Sequence, residues 1–275
     1  MTTIPSRPEQ ELKGKRALVV GGGQTPGSTI GNGRATALLF AREGARVVVA
    51  DRHFERADET AQEILAAGGE AYAVASDIAD AQSVASMVAF AHESLGGIDL
   101  LHNNVGVSLA GGDAVISEIE MDAFDRVIRI NLSGMVATCR HTIPLMQAQG
   151  GGSITCVGSV ASLVDTPMIA YKTSKAGVVA LVQHIAIRHA PDGIRANAIL
   201  PGLMETPMAI ENRVGIHGQS KEDLIRERDS HVPLRGRQGT GWDVAEAAVF
   251  LSSDRARFIT GASLPVDGGQ ALRAG

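Results

Sequence analysis

The sequence predicts an α/β fold in which a single domain is built on one doubly wound parallel sheet with helices on both faces. Short β-branched runs alternate with amphipathic helical patterns along the 275 residues. The turns between them are short, which favours right-handed crossovers between parallel strands. Glycine is abundant (32 residues) and aromatic residues are scarce (3%), as suits tight turns around an aliphatic core. The length fits one large domain over residues 1–275, and no internal repeat or second domain is evident.

The predicted elements follow one another regularly. Strands are expected at 16–21, 46–51, 70–76, 98–102, 153–157, 194–200 and 261–266, where β-branched and aliphatic residues concentrate. Helices are expected at 33–43, 55–67, 81–95, 122–149, from Tyr171 to about residue 189, and at 242–252. Helix-ending residues support these limits: Gly44, Gly68-Gly69, Gly96-Gly97 and Pro191 each stand just past a helical pattern.

A polar stretch at 207–241 interrupts this alternation. It has no strand pattern, and it contains glycine at 215, 218, 236, 239 and 241. A long insertion with glycine at both ends predicts a lid over a substrate site. The alternative is a mobile surface loop without function.

Composition excludes several functional classes. The net charge of −5 is mild, and no basic stripe or charge run suggests nucleic acid or a disordered tail. Residues 1–11 contain two prolines and no apolar run, so neither a signal peptide nor a membrane anchor is expected. Cys139 and Cys156 form no motif, which favours a reducing compartment. We therefore expect a cytoplasmic protein that does not contact membranes.

A glycine-rich turn follows the first predicted strand and precedes the first helix. It runs from Gly21 to Gly33, with the sequence GGGQTPGSTIGNG. Glycines let a backbone approach a pyrophosphate, and a helix N-terminus offers free N–H groups and the positive end of its dipole. In this βαβ position the turn predicts a Rossmann-like dinucleotide site, whereas the alternative is an ordinary flexible βα loop.

Three further segments stand at carboxyl ends of predicted strands. Asp51 can accept hydrogen bonds from both hydroxyls of an adenosine ribose and repel a 2′-phosphate, whereas Arg52 could bind one. No Lys or Arg lies between Ala17 and Gly33, so NAD is favoured over NADP. Asp77 could reach the adenine amine or simply form a turn, and Asn103-Asn104-Val105-Gly106 could wall the cofactor or stabilise its own turn.

A tyrosine and a lysine four residues apart predict acid–base chemistry. Tyr171 and Lys175 lie on one face of a helix, where the ammonium would lower the phenol pKa from about 10 towards neutrality. Ser159, twelve residues before Tyr171, could hold a substrate oxygen beside the phenol. The alternative is a half-buried tyrosine near a solvated lysine.

In order and spacing these motifs resemble the classical short-chain dehydrogenase/reductase family, from residue 12 to residue 269. Beside the segments above, the resemblance rests on Asn131, on Pro201-Gly202 with Thr206, and on Gly261 followed by Val266-Asp267-Gly268-Gly269. It implies that Tyr171 is the acid/base, that Lys175 binds the nicotinamide ribose and lowers the tyrosine pKa, and that Ser159 orients the substrate oxygen. It also implies that Asn131 holds a water of a proton relay; a core Asn that kinks its helix is the alternative.

The resemblance implies a full set of binding residues. The catalytic set is Asn131, Ser159, Tyr171 and Lys175. The cofactor set is Gly21, Ser28, Ile30, Gly31, Asn32, Asp51, Arg52, Asp77, Ile78, Asn104, Val105, Gly106, Tyr171, Lys175, Pro201, Gly202 and Thr206. The substrate set is Ser159, Ala161, Tyr171 and Leu203, within mostly apolar walls that favour a moderately hydrophobic ring or chain alcohol.

The glycine turn departs from the family pattern. Gly21 and Gly31 are ten residues apart where four is usual, so six residues are inserted. The candidates for contact with the cofactor phosphates are therefore Ser28, Thr29, Asn32 and the backbone N–H of Ile30. A longer turn is similar to that of enoyl reductases, but the four-residue spacing of Tyr171 and Lys175 argues against them.

The activity expected is NAD-dependent interconversion of a secondary alcohol and a ketone, with no metal. The alternative is a non-catalytic dinucleotide-binding sensor. Metal-dependent hydrolysis is disfavoured because the eight histidines form no ligand cluster. By resemblance we also expect a homotetramer or homodimer, formed through the helices that contain Asn131 and Tyr171.

Overall fold

The computed structural model describes residues 10–211, 213–214 and 220–273, and in these residues seven parallel strands form one sheet. Their order is β3-β2-β1-β4-β5-β6-β7. The strands are β1 Arg16–Val20, β2 Arg46–Asp51, β3 Ala71–Ala75, β4 Leu100–Asn103, β5 Gly152–Val157, β6 Ile194–Pro201 and β7 Ser263–Val266. The chain builds outward from β1 to β3, then returns to add β4 on the other side of β1. This confirms the doubly wound parallel sheet.

Helices cover both faces of the sheet. They are α1 Asn32–Arg42, α2 Phe54–Ala66, α3 Ala81–Leu95, α4 Met121–Ile128, α5 Gly134–Ala148, α6 Ile169–His189, α7 Pro207–Ile210, α8 Lys221–Ser230 and α9 Gly241–Ser252. One core packs α3, α5 and α6 against the sheet, and the other packs α1, α2 and α9. In β1, Leu18 faces the first core and Val19 the second, which explains the unbroken apolar run of a strand buried on both faces.

The long helix predicted at 122–149 contains an irregularity. The helical path begins at Met121, but α4 and α5 are separated by a π-helical turn, Arg129–Ser133. Asn131 lies in this turn and is fully buried. Inserted π turns often occur at functional sites, since the extra residue redirects a side chain.

The described part of the stretch at 207–241 is partly helical. It contains α7 and α8, and the Ser220 hydroxyl caps α8 by accepting a hydrogen bond from the Asp223 amide at 3.1 Å. Its last part is joined to the β6 end because the Glu205 amide donates to the Gly239 carbonyl at 2.8 Å. Two of the glycines predicted to belong to the lid, 215 and 218, lie outside the described residues. Among the described residues, no helix is long and apolar enough to cross a membrane.

Candidate active site

A cavity of about 460 Å³ opens at the carboxyl edge of the sheet. It lies between β1 and β4, where the chain continues from β1 to β2 on one side and from β4 to β5 on the other, which is the position at which doubly wound sheets bind ligands. The glycine turn lines one end of the cavity, and the start of α6 and the β6 end line the other. The fold thus brings together segments that are separated by more than half of the chain.

The glycine turn is held by close backbone packing. Gly21 has φ of 78°, and a Cβ on Gly33 would come within 1.9 Å of the Gly21 carbonyl oxygen. Only glycine permits this contact between α1 and the turn. The Asn104 side chain adds a hydrogen bond from Nδ2 to the same carbonyl at 3.1 Å. Sequence reasoning missed Gln24, whose Oε1 accepts from the Gly31 amide at 3.0 Å and so folds the six-residue insertion back onto α1.

Tyr171, Ser159 and Lys175 all line the cavity. Helix α6 presents Tyr171 and Lys175 on one face, so that the lysine Nζ lies 5.6 Å from the tyrosine ring centroid. The same Nζ donates a hydrogen bond to the Val157 carbonyl at 2.9 Å. Ser159 follows β5 directly, and its Oγ accepts from the Ala161 amide at 3.1 Å. The three predicted groups therefore converge on one wall.

The pKa expected for Tyr171 is not the one that the structure gives. Burial raises the pKa of the phenol, and the Ser159 hydroxyl and the positive charge of Arg213 oppose this rise without overcoming it. Lys175, which was expected to lower the phenol pKa, is itself so buried that desolvation lowers its own pKa to about 8. Without a further positive charge in the cavity, Tyr171 is thus a neutral acid.

Two residues that sequence reasoning missed position this wall. Asp113 is buried, and its two carboxylate oxygens accept hydrogen bonds from the amides of Ala170 at 3.0 Å and Tyr171 at 2.7 Å. It therefore caps α6 from 58 residues away in sequence, where no local capping motif could reveal it. Lys172 donates to the Ala161 and Val164 carbonyls at 3.1 and 2.6 Å, which fixes the loop after Ser159.

The Asn131 side chain supports the wall of the cavity through three hydrogen bonds. Its Oδ1 accepts from the Val107 amide at 2.7 Å, and its Nδ2 donates to the Val107 carbonyl at 2.8 Å and to the Ser174 hydroxyl at 3.0 Å. Ser174 in turn donates to the Tyr171 carbonyl at 2.8 Å. The side chain thereby links the β4–α4 connection to α6.

Most of the predicted binding residues lie at this one cavity. The predicted cofactor residues that line it are Gly21, Gly31, Asn32, Asp51, Arg52, Asp77, Ile78, Asn104, Val105, Gly106, Tyr171, Lys175, Pro201, Gly202 and Thr206. The predicted substrate residues Ala161 and Leu203 line it as well. Ser28 and Ile30 are not among the lining residues, and the Ser28 hydroxyl instead accepts a hydrogen bond from Lys221 at 3.0 Å. Asp77 also forms the local turn that was the alternative, since its Oδ1 accepts from the Ala79 amide at 2.9 Å.

Sequence comparison assigns the chain to a family. Residues 27–271 match a family profile described as enoyl-(acyl carrier protein) reductase. L-rhamnose 1-dehydrogenase (NAD(P)(+)) of Azotobacter vinelandii is 41% identical over 88% of this chain and 93% of its own length. A 2,5-dichloro-2,5-cyclohexadiene-1,4-diol dehydrogenase of Sphingobium indicum is 34% identical over 94% and 96%, respectively. The chain belongs to the short-chain dehydrogenase/reductase family.

A solved structure of the family extends the comparison. A 7α-hydroxysteroid dehydrogenase, complexed with NADH and 7-oxo glycochenodeoxycholic acid, superimposes with a TM-score of 0.84 at 31% identity, over 94% of this chain and 95% of its own. Sugar, chlorinated diol and steroid are thus all represented among the relatives' names. Short-chain dehydrogenases/reductases are oxidoreductases that bind a nicotinamide dinucleotide, and their varied substrates mean that family membership alone does not identify the substrate.

The cavity fits a dinucleotide of the kind that short-chain dehydrogenases/reductases use. Two residues that line it have a buried side-chain atom, Asn32 Oδ1 and Ser108 Oγ, with no hydrogen-bond partner within the described part of the chain. Buried polar atoms are normally paired, so each is suited to a ligand. Gly23 lies against the Asp51 carboxylate, and an added Cβ would come within 2.7 Å of its Oδ2. Arg56, which sequence reasoning did not identify, lines the cavity near Asp51.

Proposed function

We propose that this chain is a nicotinamide-dependent dehydrogenase/reductase that interconverts a secondary alcohol and a ketone, with NAD as the favoured cofactor. The observation that carries the proposal is the convergence of Tyr171, Ser159 and Lys175 on the cavity that the glycine turn also lines. When bound, the nicotinamide supplies the hydride chemistry. The residues of the chain have to bind, orient and move a proton.

Tyr171 is the proposed proton donor and acceptor. In the ketone-reducing direction its phenol gives a proton to the substrate oxygen, and the raised pKa keeps that proton in place until then. In the oxidising direction the phenolate takes the hydroxyl proton, which requires positive charge near the ring. Lys175, at 5.6 Å from the ring centroid and mostly protonated at neutral pH with a pKa of about 8, contributes part of that charge, and an oxidised nicotinamide would add its own.

Ser159 is the proposed partner of the substrate oxygen. Its Oγ accepts a hydrogen bond from the Ala161 amide, and its hydroxyl faces the Tyr171 phenol, so that its one hydrogen would turn towards a developing oxyanion when a substrate is bound. Asn131 supports this wall from behind, and a proton relay through it remains a prediction.

The cofactor preference is proposed from the residues at the end of β2. Asp51 would accept hydrogen bonds from the ribose hydroxyls and repel a 2′-phosphate. Arg52 and Arg56 line the same part of the cavity and could bind that phosphate. We favour NAD because the Asp51 carboxylate lies against the turn at Gly23, whereas Arg52 is exposed and its guanidinium approaches His53 Nε2 at 3.4 Å.

The activity is tested with reduced-nicotinamide absorbance, using NAD and NADP in parallel with cyclic, aromatic and aliphatic secondary alcohols. Tyr171→Phe should lower kcat by about 10²- to 10⁴-fold, the usual contribution of a general acid–base group, and leave NAD affinity unchanged. Tyr72→Phe is the matched control, because this second tyrosine lies on β3 and its hydroxyl donates to Glu70 at 3.0 Å. Cofactor binding without any turnover would favour the sensor alternative, and turnover only with NADP would refute the role given to Asp51.

A further inference from the structure

Two arginines line the same cavity as Tyr171. Arg213 follows α7 and is partly buried, and Arg228 lies in α8 with 9% of its surface exposed. Within the described residues, neither guanidinium forms an ion pair with a carboxylate. A buried charge is normally paired, so two guanidinium groups with no carboxylate partner among the described residues indicate a site suited to an anion.

The hydrogen bonds of the two arginines leave donors free. Arg228 Nε donates to Gln238 Oε1 at 2.6 Å, and its Nη2 donates to the Met204 carbonyl at 3.2 Å. These bonds orient the side chain and leave N–H groups on both terminal nitrogens without a partner of their own. Among the described residues, Arg213 makes only a long contact from Nη1 to the Ala209 carbonyl, at 3.4 Å. A guanidinium has five N–H donors, so several remain for a ligand.

Nearby acidic residues compensate the positive charge of the arginines only in part. Burial, followed by the nearby charge of Arg213, lowers the pKa of Arg228 to about 10, although the flanking Asp229 and Glu227 act in the opposite direction. Burial likewise lowers the pKa of Arg213, against the opposing effect of Tyr171. Asp165, the acidic residue that lines this end of the cavity, is exposed. A bound anion would relieve both the desolvation and the mutual repulsion.

The position of the arginines favours the substrate over the cofactor as the source of that anion. Arg213 is near enough to Tyr171 for its charge to lower the phenol pKa. Both arginines belong to the segment that carries α7 and α8, whereas the residues suited to the cofactor phosphates lie in the glycine turn. Apolar side chains share this end of the cavity, among them Val160, Val164 and Met208.

We propose that Arg213 and Arg228 bind a carboxylate of the substrate, so that the alcohol or ketone is an amphiphilic hydroxy or oxo acid with an apolar body. This inference rests on the proposed function, whose site it completes. It replaces the expectation of a plain hydrophobic alcohol. Arginine suits the role because its planar fork matches the two oxygens of a carboxylate.

The test is calorimetric binding with saturating NAD, which cannot reduce the ketones used as probes. The probes are levulinate, para-acetylbenzoate and oxocyclohexanecarboxylate, each compared with its primary amide, which has the same shape and no charge. At least one acid should bind about ten-fold tighter than its amide, as expected for a charge-assisted hydrogen-bonded pair. Arg213→Gln should remove this preference, and Arg213→Lys should restore part of it.

The controls separate a specific site from general charge effects. Arg226→Gln makes the same change in net charge on the exposed side of α8, where its side chain is 74% exposed, and should leave the acid preference intact. Arg228→Gln should also remove the preference. The melting temperature of Arg228→Gln is recorded as well, because Arg228 also connects α8 to Gln238 and Met204. If Arg228→Gln unfolds, the test of the carboxylate site depends on Arg213→Gln alone.

Three results would overturn the proposal. The first is that no acid binds tighter than its amide, and the second is that the preference survives Arg213→Gln. The third is that Arg213→Gln weakens NAD binding and leaves acid binding unchanged, which would assign the arginines to the cofactor pyrophosphate. Because binding is measured without turnover, acid binding by a chain that oxidises no alcohol would refute the proposed function and leave this anion site standing.

Discussion

Replacing Asn131 by alanine should destabilise the protein strongly. The substitution removes three hydrogen bonds, two with the Val107 backbone at 2.7 and 2.8 Å and one with Ser174 at 3.0 Å. Asn131 is fully buried, so water does not replace the lost partners easily. At a net value of about 1 kcal/mol for each bond, the free energy of unfolding should fall by about 3 kcal/mol.

A matched control is available on the next helix. Thr142 lies in α5 and is fully buried, and its Oγ1 has no hydrogen-bond partner among the described residues. Thr142→Val keeps the shape of the side chain and removes a hydroxyl that forms no hydrogen bond with the described residues. Its free energy of unfolding should therefore stay within about 0.5 kcal/mol of the parent or rise.

The assay is urea unfolding followed by circular dichroism at one fixed protein concentration. If Asn131→Ala loses less than about 1 kcal/mol more than Thr142→Val, the three bonds do not hold the π turn as argued. The same variant should also weaken NAD binding, since Val107 lines the cavity.

Three further perturbations test the wall and the turn. Asp113→Ala should lower the free energy of unfolding by about 1–2 kcal/mol, because it removes the cap of α6. It should also lower kcat more than Asp113→Asn does. Equal kcat values for the two variants would contradict the positioning role of Asp113. Lys175→Met should abolish a rise in stability between about pH 8 and pH 10. In that range the unfolded chain holds a proton on Lys175 that the folded protein releases, so the free energy of unfolding of the parent increases with pH by up to about 3 kcal/mol. If urea unfolding at the two pH values gives the variant the same increase as the parent, the argument fails. Gly33→Ala should abolish NAD binding in a titration, because its Cβ would come within 1.9 Å of the Gly21 carbonyl oxygen; retained affinity would mean that the turn can shift freely.

The elements of the fold were readable from the sequence because buried parallel strands and amphipathic helices leave strong periodic signals. The strand β2 and the helix α3 match their predicted limits, since Asp51 ends one and Gly96 follows the other with φ of 75°. The π turn at Arg129–Ser133 left no such signal, because it depends on the bonds that Asn131 makes to the β4–α4 connection. The helices α7 and α8 were missed because a polar, glycine-containing stretch resembles a loop when its packing is unknown.

By itself the sequence determined the sheet, the family and the residues that meet at the carboxyl edge, because strand order and local motifs suffice to place Ser159, Tyr171 and Lys175 on one wall. Only the tertiary structure decided how those groups are tuned. Burial, which no sequence motif reports, raises the pKa of Tyr171 and lowers that of Lys175. Long-range contacts bring Asp113 to the start of α6, and place Arg213 and Arg228 in the cavity with no ion pair to a carboxylate among the described residues. Desolvation and charge pairing depend on the whole surroundings of a group, and the fold alone assembles those surroundings.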